Sequence, residues 1–163
     1  MTEILDQAAE GFYTGWTLGA GPDKVAAVLR PDDEDTSYIE TPGPDTKQSF
    51  QLTPSSIPPG STINSVQVTH RAKRITGGCN DYNFLRLGGT NSEGPAHALT
   101  SSYVNYSDII PRPGGGAWSI ADLATLEVGI RGYNPQTRRA TTLYITVDYT
   151  PPAAAAGNMF LVF

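Results

Sequence analysis

The chain has 163 residues, with 16 Asp and Glu against 11 Lys and Arg and a formal net charge of −5. That length suits one domain with its own core, and the acidic balance speaks against a binder of nucleic-acid backbones, which needs surplus cations. Charged residues make up only 17%, while glycine (17) and proline (13) are plentiful, a mixture that favours short strands joined by turns over helices.

Residues 1–22 are expected to form an N-terminal arm. Beyond Ile4 and Leu5, its substantial apolar groups are Phe12, Tyr13 and Trp16, and "LGAGPD" is a turn signal. A domain over residues 23–150 follows. "KVAAVLR" fits a first strand or a short helical turn, and "PDDEDTSYIETPGPDTKQSFQL" an acidic loop, a strand over residues 37–40, a Pro/Gly turn and a strand over residues 48–52. In "IPPGSTINSVQVTHRAKR" the period is two: Val66, Val68, His70 and Ala72 share one face, and Ser65, Gln67, Thr69 and Arg71 the other. That pattern suits an antiparallel sheet with one face in a core.

"GGCND" is a turn, "YNFLRL" a strand and "GGTNSEGP" a loop before "AHALTSSYVNY". After the loop "PRPGGG", Ser119 in "AWSIADLATLEVGIRG" is placed to cap a short helical turn. Leu126, Val128 and Ile130 then alternate inward. In the last strand, "TTLYITVDY", Leu143, Ile145, Val147 and Tyr149 share one face, and Tyr144, Thr146 and Asp148 the other. Together these elements predict an all-β, antiparallel β-sandwich of jelly-roll type.

Residues 151–163 are expected to form a C-terminal spacer and apolar arm. Pro151 and Pro152 stop the last strand, because proline has no N–H for a ladder. Four alanines and Gly157 give reach, and Met159, Phe160, Leu161, Val162 and Phe163 have the length and residue types of one added strand. Such a segment either folds back on its own domain or crosses to a neighbour. With Phe12, Tyr13 and Trp16, these five are the expected partner-binding residues. They are far short of the roughly 20 apolar residues that span a bilayer, so no membrane partner is expected. The N-terminus, "MTEILDQAAEGF", lacks a basic segment followed by an apolar run, so synthesis and folding in a cytoplasm are expected.

Three stretches in order, "DDEDTSYIE", "FQLTPSSIPPGSTINSVQVTHRAKR" and "WSIADLATLEVGIRG" leading into "TTLYITVDYTP", resemble jelly-roll β-sandwich proteins of tailed-phage virion gene clusters. The resemblance runs from Val25 to Pro151, and its motifs are structural. It implies a virion structural protein, such as a capsid decoration or tail-surface subunit, made in the host cytoplasm and located in the virion. Such a subunit would bind the major shell protein or another virion protein and form a homo-oligomer, a trimer being favoured, without cofactor or catalysis.

Chemistry-bearing residues are sparse. Asp32, Asp33, Glu34 and Asp35 offer oxygens for calcium, with Asp32, Asp33 and Asp35 the candidate ligands. Their spacing is not that of an EF-hand, and contiguous carboxylates diverge along an extended loop; a solvated turn is the competing reading. Asp81, Glu93, Asp108, Asp122, Glu127 and Asp148 are scattered singly, so no catalytic residue is assigned. Glu127 and Asp148 would meet only if their strands were neighbours. Neither His70 nor His97 has a recognisable metal partner, and no G-x-S-x-G elbow supports a serine triad. Cys79 alone excludes an internal disulfide framework. Arg71, Lys73 and Arg74, or Arg138 and Arg139, are candidates for a local basic patch. The rival function is a glycan-binding sandwich, in which sugar rings stack on exposed aromatics such as Tyr82, Tyr103, Tyr106, Trp118, Tyr133 or Tyr144.

Overall fold

The computed structural model describes residues 1–41 and 43–153. Its strands are β1 (Thr2–Leu5), β2 (Gln7–Thr14), β3 (Thr17–Ala20), β4 (Tyr38–Thr41), β5 (Thr46–Leu52), β6 (Thr62–Arg74), β7 (Asn80–Leu87), β8 (Thr90–Ala98), β9 (Val104–Ile109), β10 (Glu127–Gly132) and β11 (Arg138–Thr150), with one helical turn, α1 (Ile120–Leu123). They form a six-stranded sheet A in the order β3-β4-β11-β6-β9, with β1 also on β11, and a five-stranded sheet B in the order β2-β5-β10-β7-β8.

The pairing is nested. β7 pairs with β8, β6 with β9, β5 with β10 and β4 with β11, all antiparallel, so the chain from β4 to β11 is a long hairpin rolled into two sheets. This is the connectivity of a jelly roll, as the sequence predicts. Alternation places the core as expected. Val66, Val68 and Ala72 of β6 and Leu143, Ile145 and Val147 of β11 are fully buried against Phe50, Leu85, Val128 and Ile130 of sheet B. Each Val, Leu, Ile or Phe among them contributes about 1.5–3 kcal/mol on burial. "KVAAVLR" takes the helical alternative as a 3-10 turn over Ala26–Val28.

Residues 1–22 are not an arm. β1 pairs with the end of β11, β2 with β5 and β3 with β4, so this stretch is woven into both sheets. Trp16 is 1% exposed in the core, and its Nε1 donates to the Thr46 carbonyl at 3.3 Å. Between Glu10 and Thr14 the β2 register shifts, and residues 11–13 cross the outer face of sheet B. There the Phe12 N–H donates to Glu127 Oε2 (2.9 Å) and the Tyr13 N–H to Ser49 Oγ (3.0 Å). The Tyr13 ring meets Phe84 edge-on at 5.7 Å. Phe84 is fully buried although it points away from the inter-sheet core, in space left by Gly129, where a Cβ would lie 2.2 Å from Phe84 Cζ.

The stretch "GGTNSEGP", expected as a loop, supplies most of β8. This is an edge strand, paired on one side only, and its register with β7 shifts between Tyr82 and Phe84, close to Gly94 and Pro95. Proline is tolerated at such an edge, so the turn residues there do not interrupt pairing. Ser119 caps α1 as its position predicts: its Oγ accepts from the Asp122 N–H at 3.3 Å, and Asp122 Oδ2 accepts from the Ser119 N–H at 2.8 Å. This reciprocal pair satisfies two otherwise orphaned donors.

Candidate functional site

Register arranges the outer face of sheet A in rows. Thr142 of β11 pairs with Arg71 of β6 and Arg71 with Asn105 of β9; in the next row Tyr144 pairs with Thr69 and Thr69 with Ser107. Over this floor the segment Arg30-Pro31-Asp32 builds a wall, and between them lies a groove of about 590 Å³ lined also by Arg71, Asn105, Thr142 and Tyr144.

The wall is fixed by charge. Arg30 donates twice to Asp6, Nε to Oδ1 and Nη2 to Oδ2, both at 2.8 Å, and its guanidinium lies 4.9 Å from the Tyr144 ring centroid. A bidentate pair of this kind sets orientation as well as energy. Asp32 Oδ2 stands 2.5 Å from Arg71 Nε, and Arg71 Nη2 donates to Glu34 Oε1 at 2.8 Å. Thr142 is buried, and its Oγ1 has no hydrogen-bond partner among the described residues.

The acidic loop continues from the wall and is stapled down by cations of the sheet. Asp35 accepts from Lys73 Nζ (2.6 Å), the Tyr103 hydroxyl (3.0 Å) and Arg139 Nη1 (3.1 Å). The Lys73 bond, with those from Tyr103 and Arg139, outweighs partial burial and holds the Asp35 carboxyl below its ordinary range. Burial, then the bond to Asp35, push the Tyr103 phenol up. Asp33 Oδ1 accepts from the Ser37 N–H and hydroxyl. The three candidate calcium ligands thus serve separate partners, Arg71 for Asp32, Ser37 for Asp33 and the Lys73, Tyr103 and Arg139 group for Asp35. Among the described residues no group of three or more His, Cys, Asp or Glu is placed to hold a metal ion. Nor do the basic residues form a free patch among the described residues: Arg71, Lys73 and Arg139 are paired with this loop, Arg138 is buried, and of the five candidates Arg74 alone stands exposed without an ion pair.

Of the six aromatic candidates, Tyr144 lines the groove, while Tyr103 lies outside its lining, against the acidic loop, with Lys73 Nζ 4.3 Å from its ring centroid. Tyr82 and Tyr133 flank Arg131 on the outer face of sheet B. Tyr106 stacks on His70 at 5.2 Å, and Trp118 packs against the core. Among the expected partner-binding residues, Trp16 is core, Tyr13 is half-buried and Phe12 is 66% exposed, with Arg86 4.1 Å from its ring centroid. Met159, Phe160, Leu161, Val162 and Phe163 lie outside the described residues.

The carboxylates are occupied structurally. Glu127 and Asp148 are on different sheets; Glu127 accepts from Ser49 Oγ (2.6 Å) and Arg86 (2.8 Å), while Arg131 pairs with Asp45 and Glu93. Asp108 Oδ2 accepts from His97 Nε2 and from the Asn83 amide, both at 2.7 Å, and no serine hydroxyl is hydrogen-bonded to His97 among the described residues.

The sequence reading reached Arg71 and Tyr144 as outward-facing strand residues. It missed Arg30, Asn105 and Thr142 as companions, because only the rolled pairing assembles them.

No protein-family profile matches the sequence, and no curated protein matches it. Solved structures do. The C-terminal family 22 carbohydrate-binding module of Clostridium thermocellum Xyn10B superposes with a TM-score of 0.50 at 17% identity, covering 88% of this chain and 91% of that one. The CBM22-1–GH10 modules of Clostridium thermocellum Xyn10B, complexed with xylohexaose, give 0.51 at 12% identity over 94% of this chain. The Agl-KA catalytic domain gives 0.50 at 12% identity over 97%. This chain spans 30% and 29% of the latter two, respectively. At these identities the likeness is one of fold: an antiparallel jelly-roll sandwich of the kind carbohydrate-binding modules use.

Proposed function

We propose that this chain is a non-catalytic carbohydrate-binding domain whose ligand lies in the groove on sheet A. The observation that carries the reading is the Tyr144 ring in a groove bordered by Arg30, Asp32, Arg71, Asn105 and Thr142. A sugar ring presents apolar C–H faces and a rim of hydroxyls that donate and accept. An aromatic surface beside fixed guanidinium, carboxylate, amide and hydroxyl groups complements both features. The floor is built on paired strands and the wall is held by two ion pairs, so the site is preformed and little ordering opposes binding. The fold shared with carbohydrate-binding modules supports the same reading.

The test is a glycan array followed by calorimetry on the intact protein, Tyr144→Ala and Asn105→Ala. We expect saccharide binding by the intact protein and at least a tenfold loss in each variant with thermal stability retained. An array without any binding sinks the reading.

The virion-subunit reading, with trimeric self-assembly and a shell-protein partner, rests on the sequence resemblance and on two terminal arms. One of those arms is built into both sheets, and the apolar residues of the other lie outside the described residues. The glycan reading therefore takes precedence.

A further inference from the structure

Resting on the groove as the saccharide site, we infer that its ligand class is the uncharged polysaccharide chain, and that the chain runs along sheet A beyond the groove onto a neutral strip between Ile4 and Ile109.

The charge pattern selects against anions. Two arginines border the groove, and neither is available to a carboxylate or sulfate: Arg30 is bound bidentately by Asp6, and Arg71 is paired with both Asp32 and Glu34. Two cations against three carboxylates leave the site net negative. The adjoining group of Lys73, Arg139, Asp35 and Glu40 balances itself. An anionic sugar must therefore displace an existing partner or face uncompensated carboxylates, and like-charge juxtaposition of this kind suppresses a wrong partner.

Register extends the surface. From the groove row of Thr142, Arg71 and Asn105, the next row is Tyr144, Thr69 and Ser107, where Thr69 Oγ1 and Ser107 Oγ are hydrogen-bonded at 2.8 Å. The row after that is Ile4, Thr146, Gln67 and Ile109. No charged residue occupies a strand position in either of these two rows; the Arg30–Asp6 pair stands against the Tyr144 end of the first, the second carries no charge, and the next charged residue along β11 is Asp148. At the two ends of the third row, Ile4 is 43% and Ile109 67% exposed, with half-buried Thr146 and Gln67 between them. Apolar edges flanking neutral hydrogen-bonding groups repeat the chemistry of a pyranose. The distance from Thr142 to Thr146 is about 13 Å at the rise of a strand, which lengthens the groove into a track for a chain.

The test is affinity electrophoresis of the intact protein in gels containing neutral polysaccharides (xylan, mixed-linkage β-glucan, galactan) or anionic ones (polygalacturonate, alginate, sulfated galactan). Gln67→Glu is run alongside it after its thermal unfolding has been matched to the parent. We expect retardation by at least one neutral polymer and none by the anionic polymers. We also expect Gln67→Glu to weaken the neutral polymer at least fivefold while leaving a disaccharide in the groove unaffected. Retardation by anionic polymers equal to that by neutral ones, or no effect of Gln67→Glu on the polymer, overturns this inference and leaves the groove itself standing. Binding to none of the polymers removes the groove reading and this one with it.

Discussion

Arg138 and Asp81 form an ion pair, Nη1 to Oδ1 at 3.0 Å, in which neither side chain is exposed to solvent. Burial pushes the Asp81 carboxyl up to about 7 against the opposing pull of Arg138. The guanidinium also donates to the carbonyls of Asn80, Asn134 and Gln136, tying the start of β7 to the turn before β11.

Arg138→Leu strands a buried carboxyl and releases those carbonyls. Loss of one partner of a buried pair costs about 3–5 kcal/mol, and urea denaturation should show a loss of that order. Arg138→Leu with Asp81→Leu should recover only part of it, because the backbone carbonyls stay unserved. A loss below about 1 kcal/mol for the single variant would show that the arginine is no hub.

His70 is fully buried, its Nδ1–H donating to Asn83 Oδ1 at 2.7 Å, and its Nε2 has no partner among the described residues. His97, Asp108, Asn83 and Tyr106 surround it. Burial holds its pKa down at about 4, with Asn83 and Asp108 opposing and His97 reinforcing. In the unfolded chain the ring takes a proton near pH 6.5. The folded state refuses that proton until about pH 4, so the stability is complete above 6.5 and declines as pH falls from 6.5 towards 4. The integrated loss is about 3 kcal/mol. His70→Phe should flatten this part of the stability–pH curve in denaturant titrations; an unchanged slope between pH 6.5 and 4.5 would assign the loss elsewhere.

Gly129 has no room for a methyl group. A Cβ there would lie 2.2 Å from Phe84 Cζ and 2.6 Å from the Gln48 carbonyl, which belongs to rigid backbone. Gly129→Ala should cost about 1–3 kcal/mol, the range for overpacking, and lower Tm by several degrees. Adding Phe84→Leu should relieve the side-chain clash and leave the backbone one.

Trp16 and Phe12 are both aromatic and stand four positions apart, yet they should behave oppositely. Trp16→Ala empties core volume and removes the bond to Thr46, for an expected loss of about 3–5 kcal/mol. Phe12→Ala removes an exposed ring and should cost less than about 1 kcal/mol. Light scattering on Trp16→Ala under folding conditions should match the parent protein. A change of oligomeric state at unchanged stability would restore the partner role to Trp16.

Much of this architecture is legible in the chain. Period-two alternation in β6, β10 and β11 is strong because each has one face in the core, and Ser119 announces α1 by its capping chemistry. β1 and β3 have four residues each, and β2 carries a register shift, so none accumulates a periodic signal. β8 is hidden behind Gly94 and Pro95, turn residues that an edge strand accepts. The groove is the least legible part. Its residues come from four separate stretches, and although the opposite charges of Arg71 and Asp32 are visible in the sequence, their pairing depends on the roll.

The nested pairing also dictates the order in which the chain can close. Leu87 and Thr90 meet across Gly88 and Gly89, both with positive φ, a two-residue connection that matches the twist of a hairpin. Ala72 must then find Val104, Gln51 must find Glu127, and Thr41 must find Arg138, each closure spanning a longer loop than the last. Loop-closure entropy rises with each step and contact order is high. Folding in milliseconds to seconds is expected for such a topology, zipping outward from the β7–β8 tip, with β4–β11 the last pair of this hairpin to form and β1–β11, which encloses it, later still.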